Sequence, residues 1–157
     1  MVKRILRKTR SILFADPKLS YEEDREFIKK PFYFKGNNKK AVLLLHGWST
    51  TPYEIRRLGM FLNESGYTVH APMLSGHGTK PSDLENVVYQ EWVKDAQCAF
   101  DELKKDHEQV FVGGTSMGAI LVMQLAEKNK NIAGLILMAT PYRLRFEKIV
   151  GIFIKFI

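Results

Sequence analysis

The sequence predicts an α/β protein, a mostly parallel sheet with helices on both faces. Three observations carry this. Four short apolar runs, at 41–45, 67–71, 109–113 and 132–139, are continuous rather than alternating, as strands buried on both faces are. Between them, longer stretches place apolar residues at helical spacing. Strand and helix then alternate along the chain, which is the ordering of a parallel sheet covered on both sides. A chain of 157 residues with 45% hydrophobic and 26% charged residues has the size and composition of one globular domain.

The elements follow in order. Residues 1–30 form a basic leader, in which Lys3, Arg4, Arg7, Lys8 and Arg10 meet no acid in the first ten positions. Ile5, Leu6, Ile12 and Leu13 sit among them at helical spacing. The leader reads as a short helix or arm docked on the domain, with a basic amphipathic helix on an anionic membrane as the alternative. The core, 31–142, opens with a strand at Phe32 to Phe34 and a turn at Gly36-Asn37-Asn38. Ala41 to Leu45 is the first buried strand and ends in His46-Gly47-Trp48. Ser49, Thr50 and Thr51 offer N-caps ahead of Pro52, and a helix runs to about Ser65, where Gly66 stops it in the C′ position. Tyr67 to Ala71 is the second buried strand, followed by a Gly- and Pro-rich loop over 72–81.

A helix from about Tyr89 to Asp106 carries a buried stripe of Trp92, Ala96, Ala99, Phe100 and Leu103, with Cys98 as a small packing residue. Gln109 to Gly113 is the third buried strand. Met117 to Lys130 is a helix with almost no polar face before Gln124, so it is expected to be buried nearly all round. Ile132 to Ala139 is the fourth, ended by Thr140-Pro141.

The net charge of +7 owes much to the leader, and the remainder is nearly balanced, which argues against a nucleic-acid stripe. A single cysteine excludes an internal disulfide framework and fits a reducing compartment. No run reaches the ~18 apolar residues of a membrane span, and charges interrupt any signal-peptide core. The expected location is cytoplasmic, with weak contact at a membrane surface left open; no cofactor or metal is expected.

Chemistry concentrates at Gly114-Thr115-Ser116-Met117-Gly118. A strand enters it and an apolar helix leaves it, the order of a nucleophile elbow. A serine hydroxyl needs a base to take its proton and a site to hold the oxyanion formed by its attack. The elbow's sharp turn exposes the hydroxyl, and residues two positions either side must be small, as Gly114 and Gly118 are. The competing reading is a Gly-rich strand–helix turn with Ser116 as an N-cap. An oxyanion hole takes one backbone N–H after the nucleophile and one from an earlier strand–helix loop; Met117 and Trp48 are the natural pair. His46 reads as a structural histidine bracing that loop.

With Leu43-Leu44-Leu45-His46-Gly47-Trp48, Gly66-Tyr67-Thr68-Val69, Gly76-His77-Gly78, Trp92, Val112 to Gly118 and Leu135-Ile136-Leu137-Met138 in this order and spacing, the chain resembles an α/β-hydrolase of the carboxylesterase and monoacylglycerol-lipase-like branch, over roughly Phe32 to Tyr142. The resemblance implies Ser116 as nucleophile, the Trp48 and Met117 backbone as oxyanion donors, and ester or acylglycerol substrates with an apolar acyl group. In that fold an acid and then a histidine follow the serine. Here His46, His70, His77 and His107 all precede Ser116 and no Asp follows it. The expectation is therefore the N-terminal part of a longer hydrolase, inactive alone. The alternative is a non-catalytic fragment that binds a membrane surface or a complementary chain. Residues 143–157 place Phe146, Ile149, Val150, Phe153, Ile154 and Ile157 at helical spacing, and read as the start of a lid, a terminal helix over the sheet edge, or a membrane-surface helix.

Overall fold

In the computed structural model, residues 25–141 are described; the readings made of the leader up to 24 and of the segment from 142 lie outside them. One helical turn, α1 (Arg25–Ile28), precedes β1 (Phe32–Phe34) and β2 (Lys40–Leu45). A 3-10 turn at Pro52–Ile55 leads into α2 (Arg56–Glu64), then β3 (Thr68–Ala71). A second 3-10 turn at Pro81–Leu84 precedes α3 (Tyr89–Asp106), β4 (Gln109–Thr115), α4 (Met117–Lys128) and β5 (Gly134–Met138).

The sheet order is β1-β3-β2-β4-β5. β2 runs parallel to both β3 and β4, and β4 parallel to β5; only the three-residue β1 is antiparallel, against β3. From β2 the chain winds outward to β3, and from β4 it winds the opposite way to β5. The winding reverses between β2 and β4, so the crevice at their carboxyl ends is where an α/β sheet of this type binds its ligand.

Alternation along β2 divides the core into two layers. Ala41, Leu43 and Leu45, with Val110 and Val112 of β4, face Ala96, Ala99, Phe100 and Leu103 of α3 and Leu121, Val122 and Leu125 of α4. Val42 and Leu44, with Val69 and Ala71 of β3, face the other way, where Phe32, Ile55, Leu58 and Leu62 cover them. Burying a side chain of this size contributes about 1.5–3 kcal/mol each. Gly66 ends α2 with φ 92, the left-handed residue that the C′ position requires.

Several expectations need correction. Thr51 is the N-cap residue of the turn at Pro52, but its side chain does not cap; its hydroxyl donates to the Ile28 carbonyl, and Thr50 is engaged elsewhere. Cys98 is exposed, because it points away from the Ala96–Ala99–Phe100 stripe. α4 is not buried all round: Met123 is 47% exposed, since α3 and the sheet cover only the Leu121–Val122–Leu125 face. β5 is shorter than expected and only one of its faces is covered. Ile136 and Met138 pack on the Val42 layer while Leu135 and Leu137 are exposed, as befits the edge strand of the described sheet.

Candidate active site

β4 runs on through Gly113 and Gly114 to Thr115, further than its apolar run suggested, and delivers the chain straight into Ser116. Ser116 has φ 51 and ψ −114, a conformation L-residues avoid, and its side chain is exposed and makes no capping bond with α4. That disposes of the N-cap reading, which needs an extended backbone and a capping hydroxyl. Holding such a backbone costs about 1–3 kcal/mol, offset by surrounding contacts. One is the Ser116 N–H, which donates to the Met138 carbonyl at 3.0 Å. The turn is tight enough that a Cβ on Gly114 would lie 2.4 Å from the Gly118 carbonyl. A Cβ on Gly118 would lie 2.2 Å from the Leu45 carbonyl oxygen, so only glycine lets α4 begin this close to β2. As the first residue of α4, Met117 carries one of the N–H groups that a helix leaves without an internal partner.

The second half of the site follows β2. Leu45 pairs with Gly114 in register, so His46-Gly47-Trp48 emerges beside the elbow. A Cβ on Gly47 would stand 3.5 Å from Ser116 Cβ. His46 is fully buried: its Nδ1–H donates to the Gly47 carbonyl at 2.9 Å, and its Nε2 accepts the Leu74 N–H at 3.2 Å. Burial pushes its pKa down to about 4, so the ring is neutral, with the tautomer that these two bonds require. Both nitrogens are committed to holding loops, the bracing role read from the sequence. Trp48 is 46% exposed, and its backbone N–H has no acceptor among the described residues.

Residues 36–157 match the Hydrolase_4 family, described as serine aminopeptidase, S33. The chain belongs to this family. It is 37% identical over 121 residues to a carboxylesterase of Bacillus subtilis (strain 168), covering 76% of this chain and 48% of that protein. A thermostable monoacylglycerol lipase of Bacillus sp. (strain H-257) is 38% identical over 107 residues, or 68% of this chain and 42% of the lipase. A solved structure of a metagenome-derived lipolytic enzyme, from work on LipS and LipT, superposes with a TM-score of 0.74 at 28% identity, over 79% of this chain and 51% of that one. A Paleococcus ferrophilus monoacylglycerol lipase, at 21% identity and a TM-score of 0.61 over 80% of this chain and 50% of that one, shares the fold. The chain is an α/β-hydrolase of the carboxylesterase and monoacylglycerol-lipase-like branch. It spans about half the length of the curated relatives it matches.

No hydrogen bond joins any of the other histidines to Ser116 among the described residues. His77 is buried edge-on against His46, at 4.8 Å between ring centroids, and packs on Trp92; its Nδ1–H donates to the Ser75 carbonyl at 3.1 Å. Burial lowers its pKa too. His70 lies mid-strand in β3, opposite Leu43. His107 precedes β4 while Ser116 follows it, so the two sit at opposite ends of that strand.

Two supports escaped the sequence reading. Asp95 accepts the Ser75 N–H at 2.7 Å and the Trp92 indole N–H donates to the Ser75 carbonyl at 2.8 Å, pinning the loop that carries His77. Glu54 accepts the Gly47 N–H at 3.0 Å. Thr51-Pro52-Tyr53-Glu54 has the spacing of a capping box, a signal that singles out Glu54, although its carboxylate goes to the loop and not to the helix start. Among the described residues no cluster of His, Cys, Asp and Glu has the geometry of a metal site, and no helix is long and apolar enough to cross a membrane.

Proposed function

We propose that this chain carries the nucleophile and oxyanion half of a serine hydrolase acting on carboxylic esters, through an acyl-enzyme. The observation that carries the reading is the strained, exposed Ser116 at the switch point of the sheet, beside a loop whose Trp48 N–H has no acceptor among the described residues. Ser116 Oγ attacks the ester carbonyl and loses its proton to a base. The carbonyl oxygen becomes an oxyanion held by the Trp48 and Met117 N–H groups, with the start of α4 adding its positive end. Collapse expels the alcohol and leaves Ser116 acylated; water then releases the acid and restores the hydroxyl. The carboxylesterase and monoacylglycerol lipase relatives support an ester or acylglycerol substrate.

The base is not among the four histidines. His46 has both ring nitrogens bonded to loops; His77 is buried with its Nδ1 on the Ser75 carbonyl, and its Nε2 has no partner among the described residues but is enclosed beside His46 and Trp92; His70 and His107 lie along or at the far end of their strands. In this reading the base and its acid partner are supplied from outside these 157 residues. Treating the purified polypeptide with a fluorophosphonate and mapping the adduct by mass spectrometry tests the nucleophile. Slow labelling at Ser116, abolished in Ser116→Ala, is expected; labelling confined to other serines overturns the assignment. Turnover of p-nitrophenyl butyrate is expected to stay near the buffer rate. Robust turnover that disappears in Ser116→Ala places a base within the chain and refutes that part of the proposal.

A further inference from the structure

The loop after β2 is held more tightly than a surface turn requires. Ser49, next to Trp48, has φ 57. A non-glycine residue in that region persists only where surrounding contacts over-determine it. Those contacts converge on Gly47. Its carbonyl accepts the His46 Nδ1–H at 2.9 Å and lies 3.0 Å from Thr50 Oγ1, while its N–H donates to Glu54 Oε2 at 3.0 Å. Thr50 Oγ1 also lies 2.8 Å from the same carboxylate oxygen. The hydroxyl has one proton, and the charge-assisted bond to the carboxylate is the stronger place for it. The histidine already satisfies the carbonyl.

The consequence lies in the peptide plane. The described chain contains no cis peptide, and in a trans peptide the carbonyl of one residue and the N–H of the next point in opposite directions. Fixing the Gly47 carbonyl toward His46 therefore turns the Trp48 N–H to the opposite side, clear of His46 and Thr50. His46 grips the plane from within the core; Glu54 grips the preceding N–H from the surface. We propose that the Glu54 carboxylate, with the Thr50 hydroxyl, is a positioning group that holds the His46–Gly47 peptide and so keeps the adjoining Gly47–Trp48 plane, turned by His46, presenting the Trp48 N–H to the oxyanion site. This rests on the reading of Trp48 as an oxyanion donor. Glu54 touches no reacting atom in it; it acts through Gly47.

The test compares the 157-residue polypeptide with its Glu54→Ala and Glu54→Gln variants by two readouts. Glu54 is exposed, so both variants are expected to fold, and far-UV circular dichroism with a urea midpoint checks this. The first readout is amide NMR. In the unmodified chain the Gly47 N–H is expected to be downfield and protected from hydrogen exchange. In Glu54→Ala its protection is expected to fall at least tenfold, and the Trp48 N–H residual dipolar coupling to change. The second is the rate of fluorophosphonate labelling at Ser116. It is expected to fall at least tenfold in Glu54→Ala, within the roughly 10²–10³-fold cost of losing one oxyanion donor. Glu54→Gln keeps an acceptor oxygen and is expected to recover most of both signals, which a merely structural loss would not predict. An unprotected Gly47 N–H in the unmodified chain overturns the clamp. An intact clamp with equal labelling in Glu54→Ala overturns its role in the site. An intact clamp in a chain whose Ser116 never labels overturns the nucleophile reading instead, and with it the oxyanion role.

Discussion

Gly118→Ala sets two physical effects against each other, and the structure decides between them. Gly118 is the second residue of α4. By helix propensity alone, alanine there stabilises by about 0.5–1 kcal/mol. The added Cβ, however, would lie 2.2 Å from the Leu45 oxygen and 2.7 Å from both the Leu45 carbon and the His46 oxygen. These are backbone atoms at the end of a central strand, so no rotamer change relieves them. The start of α4 has to retreat by about 1 Å, and overpacking of this kind costs about 1–3 kcal/mol or more. With unmovable neighbours the upper end applies, and the net loss is about 2 kcal/mol or greater. The same retreat draws Met117 away from the loop at Gly47. Two other glycines calibrate the scale. Gly113→Ala meets Leu44 Cδ2, the end of a side chain, at 3.0 Å and Ile136 Cβ, fixed to its strand, at 3.2 Å; both are looser than the Gly118 contacts, and the variant is expected to lose about 1 kcal/mol. Gly47→Ala meets nothing closer than 3.4 Å and is expected to stay within about 0.5 kcal/mol of the original chain. Urea unfolding followed by circular dichroism ranks the three. If Gly118→Ala matches or exceeds the original stability, or if Gly47→Ala is the worst of the series, the close approach of α4 to β2 is wrong.

Two further predictions concern the same region. Ser116→Gly removes the Cβ strained by φ 51, which releases about 1–3 kcal/mol against about 0.5–1 kcal/mol of added chain entropy. It is expected to equal or exceed the original stability, whereas Ser116→Ala keeps the strain; a urea midpoint for the glycine variant below that of the alanine variant contradicts the strain argument. His46 has a folded pKa of about 4, below its ordinary 6.5. As pH falls below 6.5 the unfolded chain takes up a proton that the folded chain refuses. This contribution is therefore complete above pH 6.5 and lost by about pH 4, at about 1.4 kcal/mol per pH unit and about 3 kcal/mol in all. His70 and His77, also lowered by burial, act in the same direction. Stability curves between pH 7 and 5 are expected to be shallower by about one proton in His46→Gln; parallel curves rule out a neutral buried His46.

The parts of the fold that were legible are those where burial leaves a pattern. Ala41 to Leu45 is apolar on both faces because helices cover both, and the sequence shows that directly. The span of α3 was readable at about its observed bounds, since its stripe repeats over many turns. Short or one-sided elements were not. β1 has three residues, too few to reveal that it runs antiparallel. Gly114 read as the start of the turn although it still pairs with Leu45. Leu135 and Leu137 look identical in sequence to buried leucines; only the sheet order shows that β5 is its edge. The elbow was legible because sterics restrict which residues can form it. The capping-box spacing marks Glu54 but not its partner, because nothing in the sequence shows a side chain reaching from a 3-10 turn to a neighbouring loop.

The β2–β4 ladder also has a kinetic meaning. Its partners, Lys40 to Leu45 against Gln109 to Gly114, are roughly 70 residues apart along the chain, and pairings of such separation pay their loop-closure entropy before any contact rewards it. No local segment can bring His46-Gly47-Trp48 to Ser116 beforehand. The two halves of the site meet only when the central sheet closes, in the slowest kind of pairing the topology contains. A folding intermediate that has formed α2 or α3 but not this ladder has helices and no site. On the proposed reading of Ser116 as nucleophile, its labelling by a fluorophosphonate during refolding should therefore track closure of the central ladder and lag behind the return of helical signal.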